Sequence, residues 1–520
     1  MSARGFKPRR VQGRAPVTVR PTDLVSLVHL GCARNLIDSE LILGRLAEEG
    51  LVITGDPADA HTVVVNTCSF IGPARDESHA TIEAYLAKKR AGEVARVVVA
   101  GCLVQRFGTE LRERHPDVDV FAEISDYREL AKTVRRLVDG ADHRDYLSSP
   151  GLRAPDRDEA RLLSTPGSYA YLRISHGCDH TCSFCAIPAI RGPHRSKRPG
   201  DVCSEAEELI AAGVKELVLV AEDSTAWGRD FDMELPQLVE ALAELDGDHR
   251  VRVMYAYPNR FPWELTTLLR EHPRVVPYLD IPIQHAATPV LRAMRRAGSG
   301  EQVRKTLDRL YDEVPGIMLR TTVLLGFPGE RDEDADELVQ LVKDYRLSRL
   351  GAFTYSPEEG TYGFDLPDRV PADVAAARRD AVLAARDENL QVVQEEQAGR
   401  IVEVLVDEPP DADGMQVARS AYDAPEVDLV TWVEGANAPV GARIHVEVVG
   451  IDDDHNLVAR QVTPEPARKG PGHAKGGGQR PRGAGKAGGS RNSGGPRRGG
   501  ARRGARGARG ARGGRGGRGR

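Results

Sequence analysis

A chain of 520 residues with a formal charge of −5 is long enough for several domains, each with its own hydrophobic core. No stretch approaches the roughly 18 consecutive apolar residues of a membrane-spanning helix, and the basic start, Met1 to Arg20, lacks the apolar core of a secretory signal. We therefore expect a cytoplasmic protein with no membrane partner. Its seven cysteines should stay reduced there, and their spacing favours metal binding over disulfides.

The charge is distributed unevenly along the chain. Ala467 to Arg520 carries 17 Lys and Arg and no Asp or Glu, so the remaining residues carry a net charge of −22. Residues 464–520 consist mainly of Gly, Arg and Ala, which cannot bury enough apolar surface to fold, and are predicted to be disordered. The basic leader, residues 1–22, is predicted to be disordered as well. The tail could contact ribosomal RNA through counterion release, or it could be a solvated extension without a specific role.

The first folded section is predicted to span residues 23–140. Three apolar runs, Leu24–Leu30, Thr62–Val65 and Arg96–Ala100, alternate with helix-like stretches, which is typical of a parallel α/β domain. A polar stretch rich in Asp, Arg, Ser and Pro follows, and it predicts a linker over residues 141–163.

Each of these three predicted strands leads directly to a cysteine. Cys32, Cys68 and Cys102 lie 36 and 34 residues apart, about one strand–helix unit. Right-handed crossovers place the carboxyl ends of successive parallel strands at the same edge of a sheet, so we expect the three thiols to converge on a metal cluster. The alternative is three buried core cysteines, which are common at such positions. Their shared position at the strand ends favours ligation.

The second section, residues 164–396, repeats the alternation of strands and helices. Six such units in about 230 residues predict a barrel or partial (β/α) barrel with functional residues at the carboxyl ends of its strands, although an open doubly wound sheet fits the pattern too. The predicted strands are Tyr169–Ser175, Glu216–Ala221, Val251–Tyr257, Tyr278–Ile283, Met318–Leu325 and Leu350–Tyr355.

A compact cysteine triplet follows the first strand of this section. Cys178, Cys182 and Cys185 have the spacing C-x3-C-x2-C. Three thiolates on one loop can bind three irons of a 4Fe–4S cluster and leave the fourth open to the amine and carboxylate of S-adenosylmethionine. The alternative is a zinc site completed by His176 or His180, but structural zinc usually uses two paired hooks, and only one is present.

The third section, residues 397–463, has short alternating strands separated by turns, which predicts a small antiparallel β-barrel. The predicted strands are Arg400–Val406, Leu429–Val433, Arg443–Val449 and Leu457–Val462. This section has a net charge of −9.

With both cysteine trios placed, the chain resembles the methylthiotransferase family of radical S-adenosylmethionine enzymes. The resemblance covers about Asp23 to Thr463 and rests on four stretches, His29–Glu40, Val65–Ile71, His176–Gly192 and Thr322–Glu330. The family's architecture, an amino-terminal cluster domain, a radical barrel and a TRAM domain, matches the three predicted sections.

The family has two branches, one that methylthiolates an N6-modified adenosine in tRNA and one that methylthiolates an aspartate of small-subunit ribosomal protein S-twelve. Leu30–Glu40 and Arg419–Asp428 resemble the second branch. The acidic third section also suits a basic ribosomal protein better than RNA phosphates, although it could simply be a solubilising surface. A noncatalytic, metal-containing RNA-binding protein is the remaining alternative.

The resemblance implies two 4Fe–4S clusters, S-adenosylmethionine as radical source and methyl donor, and a low-potential electron donor such as flavodoxin or ferredoxin. Asp223, Gln284, Arg320 and Gly326 lie at or near predicted strand ends, where S-adenosylmethionine would bind, and Arg320 could pair with its carboxylate. Glu222 departs from the family, which more often has glutamine before this aspartate. No catalytic residue beyond the clusters is predicted.

Overall fold

The computed structural model describes residues 20–141, 145–149, 153, 155–296 and 298–463. The predicted disordered tail lies outside the described residues, as does the predicted leader up to residue 19. Pro21–Asp23 forms a short 3-10 helix that leads into the first strand. In the part of the chain that the structure describes, no helix is both long and apolar enough to span a bilayer.

The first section is a six-stranded parallel sheet with the spatial order β2-β1-β3-β4-β5-β6. Its strands are Leu24–His29 (β1), Val52–Ile53 (β2), Thr62–Thr67 (β3), Arg96–Gly101 (β4), Val120–Ala122 (β5) and Asp145–Leu147 (β6). Its helices are Ala33–Glu48 (α1), Gly72–Ala91 (α2), Cys102–Arg114 (α3) and Arg128–Val138 (α4). The runs Val63–Val65 and Val97–Val99 are fully buried, as expected of β-branched residues in central parallel strands. Three residues of the predicted linker form β6, at the edge of this sheet.

The second section contains a six-stranded parallel sheet with the order β14-β13-β12-β11-β10-β7, an open partial barrel. Its strands, with the short antiparallel pair β8–β9, are Tyr169–Arg173 (β7), Ser175–His176 (β8), Arg195–Ser196 (β9), Glu216–Val220 (β10), Arg250–Val253 (β11), Val275–Asp280 (β12), Met318–Leu325 (β13) and Arg349–Thr354 (β14). All six predicted strands are present, most of them one to four residues shorter at the carboxyl end.

Helices alternate with these strands. They are Ile187–Arg191 (α5), Pro199–Ala211 (α6), Leu235–Ala243 (α7), Leu265–Glu271 (α8), Thr288–Ala293 (α9), Gly300–Glu313 (α10), Asp332–Asp344 (α11) and Ala372–Glu395 (α12). Two short 3-10 helices, Ser224–Ala226 and Tyr362–Asp365, lie in loops.

The third section is a closed five-stranded barrel. Its strands are Ile401–Val406 (β15), Met415–Ser420 (β16), Thr431–Glu434 (β17), Arg443–Ile451 (β18) and Leu457–Val462 (β19). The predicted small barrel is therefore confirmed, with two differences: β16 was not among the predicted strands, and β17 and β19 pair in parallel rather than antiparallel.

The two faces of the partial barrel pack into different cores because successive side chains of a strand point to opposite faces. Leu172 and Leu217 face the surrounding helices. Tyr171 and Val218 face inward, into a core shared with α1 of the first section and with Ala424 of the third. The inner face of the partial barrel is thus where all three sections meet.

Candidate active site

Cys32, Cys68 and Cys102 follow three neighbouring strands at one edge of the first sheet. Thr67 at the end of β3 pairs with Gly101 at the end of β4, so Cys68 and Cys102 leave the sheet side by side. β1 lies on the other side of β3 and ends three residues before Cys32. The three thiols therefore leave adjacent strands at the same edge.

Two glycines let the backbone approach closely at this edge. Gly31 has φ +105°, and a Cβ there would lie 3.0 Å from Cys68 Cβ. Gly101 has φ +97°, and a Cβ there would overlap Asn66 Oδ1. Any other residue would be strained in this backbone conformation and would push the strand ends apart.

Side-chain hydrogen bonds fix the loops that carry these cysteines. Asn35 Nδ2 donates to the carbonyl of Leu30 at 2.6 Å, which ties the start of α1 to the end of β1. Ser69 Oγ donates to the carbonyl of Cys102 at 3.0 Å, which ties the β3 loop to the start of α3. The positions of the thiols are therefore set by the fold of this section.

Burial and nearby cations act in opposite directions on the three thiols. At Cys32 burial raises the pKa, but the charges of Arg34 and Arg191 outweigh it, so the pKa lies below its ordinary value. Burial raises the pKa of Cys68 to about 11. Burial also raises the pKa of Cys102, against the charge of Arg191, whose Nη2 lies 3.3 Å from Cys102 Sγ. Cys32 directly precedes α1 and Cys102 begins α3, and the positive ends of helix dipoles favour thiolates.

The donor set at this edge fits an iron–sulfur cluster. The charges of Cys102 and Cys32 add to the burial that raises the pKa of Cys68. Thiolates are the usual ligands of such clusters, and a bound metal would offset their mutual repulsion. Among the described residues, no three His, Cys, Asp or Glu side chains are grouped closely enough to hold a single metal ion.

Cys178, Cys182 and Cys185 lie on the loop between β8 and α5. The Cys178 N–H donates to the carbonyl of Gly192 at 3.0 Å, and the Cys185 N–H donates to that of Cys182 at 3.1 Å. Burial raises the pKa of Cys178 to about 12 and that of Cys185 to about 11, and the neighbouring cysteines add to both shifts. Three half-buried thiols on one folded loop fit a second cluster of the same kind.

Side chains of the partial barrel contact this loop. His180 Nε2 lies 2.7 Å from Asp223 Oδ2, and its ring stacks on Tyr257 with the centroids 3.8 Å apart. The Arg296 guanidinium also lies over the Tyr257 ring, 4.1 Å from its centroid. Its Nη1 is 3.7 Å from Cys182 Sγ. Asp223 thus contacts the cysteine loop, and its role in binding a cofactor stays a prediction.

Gln284 and Gly326, two further predicted cofactor residues, lie just beyond β12 and at the end of β13. Gln284 has φ +71° and donates its N–H to the carbonyl of Thr322 at 2.9 Å. The Gly326 N–H donates to Glu330 Oε2 at 2.8 Å. Their role in binding a cofactor stays a prediction.

Arg320, the fourth of these residues, is held by the protein's own carboxylates. Its Nη1 lies 3.0 Å from Asp280 Oδ1, and its Nε lies 3.3 Å from Asp428 Oδ1. Tyr278 Oη also donates to Asp428 Oδ2, at 2.6 Å. The guanidinium predicted to pair with a cofactor carboxylate therefore already has two carboxylate partners, one of them from the C-terminal barrel.

The connection between β16 and β17 lies against the inner face of the partial barrel. Tyr169 and Tyr171 both donate to the carboxylate of Glu426, at 3.0 and 2.9 Å. Arg349 pairs with Asp423 at 2.8 Å. We call residues 421–428 the TRAM-side loop, because it carries the contacts of the third section with the strands that support the site.

Sequence reasoning missed four charged residues next to the cysteines: Arg34, Asp38, Arg191 and Arg296. Asp38 accepts from Arg173 at 2.8 Å and from Arg191 at 2.7 Å, and it is fully buried between the first section and the barrel. Arg34, Asp38 and Arg191 lie within stretches that resemble the family, which was the available signal. Arg296 lies outside these stretches and could have been found only from long-range contacts.

Three family models match successive parts of the chain. They are the Uncharacterized protein family UPF0004 at residues 25–123, the Radical SAM superfamily at residues 172–342 and the TRAM domain at residues 398–462. Each match falls within one of the three folded sections.

Several relatives match most of this chain and nearly all of their own length, and they share a name. The ribosomal protein uS12 methylthiotransferase RimO of Acetivibrio thermocellus is 38% identical over 451 residues, which cover 84% of this chain and 98% of that protein. The enzyme of the same name from Anaeromyxobacter sp. (strain Fw109-5) is 39% identical over 470 residues, 89% of this chain and 98% of that protein. Among solved structures, the radical S-adenosylmethionine methyltransferase TsrM from Kitasatospora setae matches with TM-score 0.48 and 16% identity over 78% of this chain and 82% of that one, a likeness too low to support a conclusion. On its sequence relatives, the chain belongs to the RimO family of ribosomal protein uS12 methylthiotransferases, within the radical S-adenosylmethionine superfamily.

Proposed function

We propose that this enzyme attaches a methylthio group to the β-carbon of an aspartate in ribosomal protein S-twelve, uS12, and that it uses two iron–sulfur clusters. The observation that carries the proposal is that helix α5, which follows the second cysteine trio, contacts a cysteine of the first. Cys102 packs against Ile190 of α5, the helix that follows the second trio, and Arg191 of the same helix reaches Cys102 Sγ at 3.3 Å. One short helix thus connects both sets of thiols.

Cys178, Cys182 and Cys185 would hold the cluster that binds S-adenosylmethionine, and Cys32, Cys68 and Cys102 would hold the second. When bound, the first supplies the electron that opens the C–S bond of S-adenosylmethionine, and the second carries the sulfur to be transferred, as the family resemblance implies. An unactivated C–H bond requires a radical because its carbon is too weakly acidic for a protein base. A low-potential donor such as flavodoxin or ferredoxin would provide the electron.

The residues around the second trio hold this loop in place. Tyr257 lies between His180 and Arg296, so the three side chains form a continuous stack beside the cysteines. Asp223 is 2% exposed, and its Oδ1 accepts hydrogen bonds from the N–H and hydroxyl of Thr225. Its other oxygen is thereby directed to His180, which positions the middle of the loop.

The C-terminal barrel is less acidic on its surface than its sequence suggests. Three of its carboxylates, Asp407, Asp423 and Asp428, are buried against Arg419, Arg349 and Arg320. Exposed carboxylates nevertheless remain and would suit a basic ribosomal protein better than RNA phosphates. They are Glu403, Glu408, Asp411, Asp413, Glu447, Asp453 and Asp454.

The first test of the proposal is metal content. Anaerobic reconstitution should give about eight irons per chain, because two cubes hold four each. Replacing Cys32 or Cys178 by Ala should each remove about half of the iron, whereas Cys203→Ala, which changes a cysteine outside both trios, should leave it unchanged. One or two zincs per chain would contradict the proposal.

The second test is the identity of the product. The reconstituted enzyme, given a reductant, a sulfur source and S-adenosylmethionine, should add about 46 Da to purified uS12, one hydrogen replaced by SCH3. The same mass on tRNA and none on uS12 would identify the tRNA branch instead. Deoxyadenosine is the product expected when the C–S bond of S-adenosylmethionine is broken. If the reduced protein released none, a noncatalytic protein would be favoured.

A further inference from the structure

Arg34 crosses from the first section to the barrel. It lies in the first turn of α1, two residues after Cys32. Its Nη1 donates to the carbonyl of Ala221 at 2.9 Å, and its guanidinium lies 4.9 Å from the centroid of the Tyr255 ring. Its Nε is 3.9 Å from Glu222 Oε1, and the Arg34 side chain is only 15% exposed. A positive charge is therefore fixed in place by three barrel residues.

The barrel residues that hold Arg34 lead directly to the second cysteine trio. Ala221 and Glu222 follow β10, and the next residue, Asp223, lies 2.7 Å from His180 in the cysteine loop. Arg34 thus lies between Cys32 of the first trio and the barrel residues that hold the loop of the second trio.

Glu222 is an imperfect partner for Arg34. At 3.9 Å the contact between them is too long for a hydrogen bond. The Glu222 side chain is 4% exposed, and its Oε2 has no hydrogen-bond partner among the described residues. Glu222 therefore cancels the charge of Arg34 only in part, and in this buried environment both charges act on the groups around them.

We propose that Arg34 raises the reduction potentials of the groups bound at both cysteine trios and that Glu222 moderates this effect. The proposal rests on the two-cluster function given above. Reduction adds one negative charge to an iron–sulfur cluster, so a nearby fixed cation stabilises the reduced form and a nearby carboxylate destabilises it. Arg34 is a positioning residue in this sense, since it acts through the clusters and not on the substrate.

The competing explanation is that Arg34 only locks the first section to the barrel. The two explanations predict different signs for the shifts of the midpoint potentials. If the charge acts, Arg34→Gln lowers the midpoint potentials and Glu222→Gln raises them. If only the contact matters, both substitutions weaken the same contact and shift the potentials in the same direction or not at all. Arg34→Lys keeps the charge, so its shift should be smaller than that of Arg34→Gln.

The experiment is an anaerobic redox titration of the full-length reconstituted enzyme, followed by electron paramagnetic resonance. Repeating it in proteins that lack one trio, with Cys32, Cys68 and Cys102 or with Cys178, Cys182 and Cys185 changed to Ala, assigns each potential to one site. Iron content, measured for every variant, shows whether its clusters are intact.

A matched control is Arg161→Gln. Like Arg34, Arg161 is a buried arginine in a contact between the first section and a later part of the chain, because it pairs with Glu40 of α1 at 2.6 Å. The substitution Arg161→Gln should leave both midpoint potentials unchanged. Unchanged potentials in Arg34→Gln, or shifts of the same sign in Arg34→Gln and Glu222→Gln, would overturn this proposal. A wild-type enzyme without a cubane signal would instead overturn the two-cluster function.

Discussion

Asp38 is the residue on which the junction between the first section and the barrel depends. It is fully buried and accepts from Arg173, Arg191 and Arg153, at 2.8, 2.7 and 3.2 Å. Arg191 in turn contacts Cys102 Sγ, so the same carboxylate supports the region between the two cysteine trios.

Replacing Asp38 by Ala should therefore strongly destabilise the protein. The substitution leaves buried arginines without their partner, and breaking such a pair typically costs roughly 3–5 kcal/mol. Chemical denaturation followed by circular dichroism measures this loss. Asp139→Ala is the control, because Asp139 pairs with Arg20 and Arg135 at a site where its side chain is 52% exposed. A loss as small as that of the control would show that Asp38 does not stabilise the junction.

The pKa of Asp38 also indicates how the stability of the junction changes at acidic pH. Burial raises its pKa, but the charges of Arg173, Arg191 and Arg153 outweigh burial and lower it from 3.8 to about 2. A lowered pKa in the folded state means that the unfolded chain binds the proton first. The stabilisation is therefore full above about pH 4 and is lost as the pH falls towards 2. Between those values the unfolding free energy of the wild type should fall more steeply than that of Asp38→Asn, and parallel curves would contradict this.

At the scale of elements, the contacts of the TRAM-side loop could not be predicted from the sequence. Residues 421–428 contain three carboxylates and a proline, and their sequence does not indicate what they contact. Their partners, Tyr171, Tyr278, Arg320 and Arg349, lie far away in the chain and are recognisable only once the strands are folded side by side.

Asp428→Ala should test this role. The substitution removes the acceptor of Tyr278 Oη and one of the two carboxylate partners of Arg320. We expect the unfolding free energy to fall by roughly 1–3 kcal/mol, the usual cost of leaving a buried polar group without its partner. Asp453→Ala, at an exposed position of the same barrel, should change little. Equal effects of the two substitutions would mean that the loop contact contributes nothing.

The regular elements, by contrast, could be predicted well. The spacing of 34 to 36 residues between Cys32, Cys68 and Cys102 is set by the strand–helix unit, so the sequence alone predicts that they leave neighbouring strands. The strand Met415–Ser420 escaped prediction because its end, Arg419 and Ser420, is polar. Arg419 donates to Glu216 of the partial barrel and Ser420 to Asp423 of its own loop. Arg34 and Asp38 escaped it because helical periodicity says nothing about charged partners in another section.

At the scale of the whole molecule, the C-terminal barrel is part of the structural core. Glu216 of β10 lies between Arg250 and Arg252 of the neighbouring strand, and Arg419 of the C-terminal barrel reaches it at 3.3 Å. Ser168 Oγ donates to Asp407 at 2.6 Å. Charged groups of the second section thus find buried partners in the third.

A chain that ends at residue 396 should therefore be insoluble or should unfold without cooperativity, because it leaves Arg349 without the carboxylate of Asp423 and Tyr169 and Tyr171 without that of Glu426. A chain that ends at residue 463 is the control. It keeps every described contact and should retain the wild-type melting temperature and methylthiolation of free uS12. Solubility and calorimetry decide the matter, and a cooperative, soluble chain of 396 residues would show that the C-terminal barrel is dispensable for folding.

The shorter control also reports on the basic tail. If residues 464–520 contact ribosomal RNA, the full chain should bind an RNA fragment with an affinity that falls steeply as salt rises, and the chain of 463 residues should lose most of this binding. Equal binding by both chains would favour a solvated extension.

The TRAM-side loop has a consequence for how a cell must make this protein. A ribosome synthesises the six cysteine positions and all the barrel strands before it reaches residues 421–428. Until that segment emerges, Arg320 and Arg349 of the nascent barrel lack the carboxylates Asp428 and Asp423, and the interior of the barrel stays open to solvent. The inner face of the partial barrel thus reaches its final packing only after the third section has been synthesised.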